Sequence, residues 1–151
     1  MPGDSFEALR RFFETSAAGR KATRPLASAA EVGLELSGGP ARFAIHSGAP
    51  QVTDEPARDP DFVLQLPDEA VRRITGLGGE DVGAFGIEFF QLVLSRDPAL
   101  RVRLRIVAPT TRLVTHGYLG VLALGGARVA WWLLKNGVKN PKAAIDRFRG
   151  R

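Results

Sequence analysis

The sequence predicts an α+β fold in which helices cover a small sheet, and three observations lead there. Leu100, Val102, Leu104 and Ile106 alternate with Arg101, Arg103 and Arg105, the period of a strand that buries one face. The segments Asp81 to Ser95 and Leu113 to Leu134 are apolar around most of a helical turn, more greasy surface than a two-layer packing must bury. A length of 151 residues with 44% hydrophobic and 25% charged content suits one globular domain over residues 1–151, not a disordered chain.

Taken in order, Asp4 with Glu7 forms a capping-box pattern, and Phe6, Leu9 and Phe13, with Phe12 beside them, mark the inner face of a first helix ending near Gly19. Arg20 to Ala30, with Arg24-Pro25 inside it, reads as an irregular connector. Val32, Leu34 and Leu36 then alternate with polar or small residues. After Ser37-Gly38-Gly39-Pro40, Ala41, Phe43 and Ile45 do the same, which makes a hairpin. Ser47 to Pro60 is rich in turn formers and reads as a surface loop with a short edge strand at Gln51 to Thr53.

Phe62, Leu64 and Leu66 give a further strand, closed by Pro67 and followed by Asp68 and Glu69 in the first turn of a helix, where acids suit the dipole. That helix turns Ala70, Val71, Ile74 and Leu77 inward and ends at Gly76, Gly78 and Gly79. In Asp81 to Ser95, Val82, Phe85, Phe89 and Leu92 make one stripe and Ile87, Phe90 and Leu94 another, so this helix is expected to be buried on two sides. Arg96-Asp97-Pro98 turns the chain into the arginine strand. Pro109 stops that strand, and Thr110 or Thr111 is positioned to cap the apolar segment that follows. The apolar segment breaks at Gly125-Gly126 and stops at Asn136-Gly137. Residues 136–151 end in a basic helix capped by Asn140 with Pro141 first.

No catalytic signature accompanies these elements, and the expectation is a protein that is not an enzyme. There is no cysteine, which removes disulfides, thiol catalysis and thiolate zinc sites and suits a reducing compartment such as the cytoplasm. His46 and His116 have no carboxylate at ligand spacing, Ser47 and Ser95 lack a nucleophile-elbow context, and the glycines at 76, 78 and 79 break the dinucleotide fingerprint. No metal and no cofactor is expected. The first residues, with Asp4 and Glu7 before Arg10 and Arg11, lack the order of a signal peptide.

The net charge is +5 and the isoelectric point about 10.4, but the basic residues are dispersed and fit no nucleic-acid motif. Arg101, Arg103 and Arg105 read either as the solvated face of an edge strand or as a surface for acidic membrane headgroups. Gly117 to Leu134 approaches the length of a membrane span, yet Arg128 and four glycines fall within it, so a pair of pocket-covering helices is the expectation. Trp131 and Trp132 beside Lys135 would also suit a membrane interface.

Pro60-Asp61-Phe62-Val63-Leu64-Gln65-Leu66-Pro67-Asp68-Glu69, running into Ala70 to Gly76, resembles the sterol carrier protein family of lipid-binding domains. The order of elements from Phe6 to Leu134 is similar as well. The resemblance implies a five-stranded, mainly antiparallel sheet covered by helices that enclose an apolar tunnel, and non-catalytic binding or transfer of a fatty acyl, sterol-like or isoprenoid ligand. The residues expected to line the tunnel come from the apolar helix faces: Phe85, Phe89, Phe90, Leu94, Tyr118, Leu122 and Trp132. The alternative is an interaction or accessory module in which the same helices form a homodimer or partner interface.

Overall fold

The structure is a computed structural model that describes residues 4–76, 82–118, 120–121 and 126–137. Period-two burial builds the sheet. Strands β1 (Glu31–Leu36), β2 (Gly39–His46) and β3 (Ala49–Thr53) form an antiparallel meander. The turn Ser47-Gly48 has positive φ at both residues, 52° and 77°, the geometry that lets a two-residue turn follow the twist of its strands. The short edge strand expected at Gln51 to Thr53 is therefore the third leg of that meander, two residues longer. Its Pro50 stands on the sheet's outer strand, where a missing N–H is tolerated.

Strand β4 (Phe62–Gln65) runs parallel to β1, and β5 (Arg103–Ile106) runs antiparallel to β4, giving the order β3-β2-β1-β4-β5. This is the expected five-stranded, mainly antiparallel α+β sheet. The arginine strand is shorter than its alternation implies, because the amides of Leu100 and Arg101 turn back to the Asp97 carbonyl at 3.0 and 2.9 Å. Register puts Val32, Leu34, Phe43, Leu64, Leu104 and Ile106 on one face. The core forms there against Phe6, Leu9 and Phe12 of α1 (Asp4–Thr15) and Ala70, Val71 and Ile74 of α3 (Asp68–Thr75).

Between Thr15 and Ala30 the chain departs from the sequence reading. The first helix ends four residues before Gly19, and a second one, α2 (Ala17–Thr23), runs into the start of the supposed connector, as far as Thr23. Ser16 is the reason: its hydroxyl accepts from the Gly19 amide at 3.2 Å and restarts the helix, while Ala17, Ala18 and Ala22 favour its continuation. Gly19 is needed where α2 crosses the end of α1, since a Cβ there would collide with the Phe12 carbonyl oxygen.

After α4 (Val82–Val93) and β5 comes α5 (Thr110–Thr115). Its N-cap position is held by Pro109 without a side-chain cap, so Thr110 and Thr111 are its first residues and not its cap. Gly117, at φ 94° and against Pro25, interrupts the apolar segment before the expected break. The last described helix, α6 (Gly126–Lys135), starts and stops as the glycines predict. Leu77, Leu122, Asn140 and Pro141 lie outside the described residues, as does the basic helix expected over residues 136–151 from residue 138 onward. Among the described residues no helix is long and apolar enough to cross a membrane.

Candidate functional site

Helix α4 carries one charge, Glu88, which points to Arg73 of α3 at 3.6 Å. Apart from the exposed Gln91 its other side chains are apolar, yet Leu92 and Val93 are its only fully buried large side chains whose exposure is described. Phe85, Ile87, Phe89 and Phe90 are half-buried, as is Leu94 just beyond the helix. They continue an aromatic run that starts in the core. Phe13 meets Phe43 edge-on at 5.1 Å, Phe85 stacks on Phe12 at 5.6 Å and on Phe89 at 6.5 Å, and Phe89 meets Phe90 edge-on at 5.4 Å. Such offset and edge-on contacts are the favoured geometries of aromatic pairs.

Helix α6 packs against this helix where neither side chain is large. A Cβ placed at Gly86 would stand 3.2 Å from Val129 Cγ2, so the two helices approach closely at that point. Trp132 of α6 is half-buried, whereas Trp131 is 63% and Leu134 50% exposed. Of the residues expected to line a tunnel, Phe85, Phe89, Phe90 and Leu94 are thus brought together, and Trp132 lies on the helix packed against them. Leu122 lies outside the described residues.

Tyr118 has a different neighbourhood. Its ring is edge-on to Phe62 at 5.1 Å and its hydroxyl donates to Asp61 Oδ2 at 2.8 Å. Asp61 is fully buried, 0% exposed, and both its carboxylate oxygens are occupied. Arg112 Nε donates to Oδ1 at 2.8 Å; His116 Nδ1 and the Glu31 amide reach Oδ2 at 2.8 and 3.3 Å. Facing an ionised carboxylate, Nδ1 of His116 carries the proton. The Asp61 main chain adds three bonds, donating to the Glu31 carbonyl at 2.8 Å and accepting from Val107 and Ala108 at 3.0 and 2.9 Å.

Burial alone would raise the Asp61 pKa, but hydrogen bonds from His116, Tyr118, Arg112 and the Glu31 amide outweigh it and hold the group below the usual carboxylate range. Burial, with the Asp61 charge beside it, pushes the Tyr118 hydroxyl well above its ordinary value. A carboxylate so fully engaged is a poor base and a strong clasp: it joins β1, the start of β4, the end of β5 and α5. Among the described residues no group of three or more metal-ligating side chains exists.

Sequence reasoning missed this clasp because its partners stand 51 to 57 residues apart. The available signal was the aspartate that opens the β4 strand, together with the only tyrosine and one of two histidines close together at 116 and 118. The three strand arginines behave as expected of a one-sided strand: Arg101, Arg103 and Arg105 are exposed, and Leu104 and Ile106 pack on the core.

No family model and no curated protein matches the chain. A solved structure titled "UbiJ-SCP2 Ubiquinone synthesis protein" is similar over 79% of this chain and 90% of its own, at 13% identity and a TM-score of 0.43.

Proposed function

We propose that the chain binds an apolar small molecule of the fatty acyl, sterol-like or isoprenoid kind against the aromatic face of α4, and performs no chemistry on it. The half-burial of Phe85, Phe89 and Phe90 along a helix with one charge carries this reading. Such a face is neither sealed in the core nor adapted to water. A ligand that covers it gains about 0.8 kcal/mol per buried methylene, so a chain of about sixteen gains about 13 kcal/mol and can reach micromolar affinity after ordering costs of about 4 to 5 kcal/mol.

Native mass spectrometry of freshly purified protein, followed by organic extraction, tests the reading, with a lipid near one per chain as the expected result. Phe85→Ser with Phe89→Ser should abolish uptake. Because both rings pack on the core, Phe90→Ser, whose ring meets Phe89, is the companion variant and should weaken uptake with the fold retained. Unchanged uptake by folded Phe90→Ser and double-variant proteins would overturn this lining. We further propose a cytoplasmic site of action, which the absence of cysteine suits.

One observation favours a second reading. Trp131 and Leu134 lie three positions apart on α6 and are each at least half exposed, as an apolar stripe that meets a second copy or a partner protein would be. Concentration-dependent mass in sedimentation, lost in Trp131→Asp, would move the weight to an interaction module.

A further inference from the structure

We propose that the solvent face of the sheet carries an oxyanion site, where Arg101, Arg103 and Arg105 receive a phosphoryl group beside the β4–β5 ladder. Val93, at the end of α4, and Val102 contribute to its apolar wall, but none of the aromatic residues of the lipid reading lines it, so the two proposals are tested separately.

The sheet's solvent face is not uniformly open. Over β1 it is covered by the loop from Asp54 to Pro60: the amides of Arg58 and Asp59 donate to Glu31 at 2.8 and 2.7 Å, and Ala57 sits over Gly33. Toward β5 it opens into a cleft of about 480 Å³, walled by the three arginines together with Glu35, Gln65 and Val63. That volume holds a diphosphate with room for an organic part against the apolar wall.

Charge is left over in this cleft. Arg42, on the same face, is neutralised by Glu31 at 3.4 Å. Among the described residues, the guanidiniums of Arg101, Arg103 and Arg105 have no ion pair and no hydrogen-bond partner. Across the ladder Arg103 faces Gln65 and Arg105 faces Val63, both neutral, and the one carboxylate of the cleft, Glu35, is a further strand away.

Protection of an edge strand against pairing requires only scattered charge. Here Arg103 and Arg105, about 7 Å apart on β5, and Arg101 just before the strand border a single concavity. A guanidinium is planar, weakly hydrated and forked to match two phosphate oxygens. A multiply charged oxyanion would satisfy these donors and relieve their mutual repulsion. A soluble phosphate ester and a lipid headgroup offer the same chemistry, and the experiment separates them.

Calorimetric titration with inorganic diphosphate, and flotation with phosphatidylcholine vesicles with and without phosphatidylglycerol, are compared for the wild type, Arg103→Gln/Arg105→Gln and Glu35→Gln. All three positions are exposed, so the variants should fold, as circular dichroism checks. Saturable diphosphate binding that falls about tenfold or more in the double variant and tightens in Glu35→Gln supports a soluble ligand. Flotation that requires phosphatidylglycerol and is lost in the double variant, without diphosphate binding, supports a headgroup. No binding in either arm, or binding that the double variant leaves unchanged, overturns the proposal.

Discussion

A carboxylate removed from water loses several kcal/mol of hydration unless charged or polar partners replace it. Asp61 has those partners in Arg112, His116, Tyr118 and the Glu31 amide. Arg112 is shared further: its terminal nitrogens reach the Asp59 carboxylate at 3.3 Å and the Pro60 carbonyl at 3.1 Å. Asp61→Asn would keep the shape but remove the charge that Arg112 and Nδ1 of His116 address, and would oppose an amide N–H to one of these donors. It is expected to lower unfolding free energy by about 3 to 5 kcal/mol, the range for breaking a buried pair, as a lower urea midpoint with unchanged slope. The residue was visible in the sequence as the opening of a strand and no more, because nothing local announces a partner more than fifty positions away.

Among the elements, those whose burial repeats with a fixed period were legible. The strands containing Val32, Phe43 and Leu64, and the helix face of Ala70, Val71 and Ile74, all sit where their periodicity puts them. Elements decided by a cap or a neighbour were not. Helix α2 depends on one hydroxyl, that of Ser16, and the partial exposure of α4 depends on how much of it α6 covers. The Gly86 contact sets that cover. With a Cβ already 3.2 Å from Val129, Gly86→Leu leaves no room for a side chain and should prise α6 from α4. The expected results are a loss of about 1 to 3 kcal/mol and stronger fluorescence of an apolar dye as Phe85 and Phe89 become accessible.

For the whole molecule, two carboxylates tie distant segments and set the response to acid. Asp68, at the start of α3, accepts from Ser5 of α1 at 2.6 Å and from Ser37 of the β1–β2 turn at 2.8 Å, and these bonds hold its pKa below the ordinary value, as the clasp does for Asp61. A folded-state pKa below the unfolded one means that the stabilisation is fully present above the unfolded value, about 3.9. It is lost as pH falls through the folded values. The melting temperature should therefore change little through these groups above about pH 5 and fall below about pH 4, less steeply in Asp61→Asn than in the wild type. A scanning calorimetry series checks both slopes.

The main-chain bonds of Asp61 have a kinetic consequence. Asp61's own amide is bound to Glu31, and those of Val107 and Ala108 are bound to the Asp61 carbonyl, so segments from three parts of the chain open only when this one residue lets go. In deuterated buffer these amides should behave as one cooperative unit, exchanging at a common opening free energy near that of global unfolding. Asp61→Asn should shift them together, in place of fraying each from its own strand end.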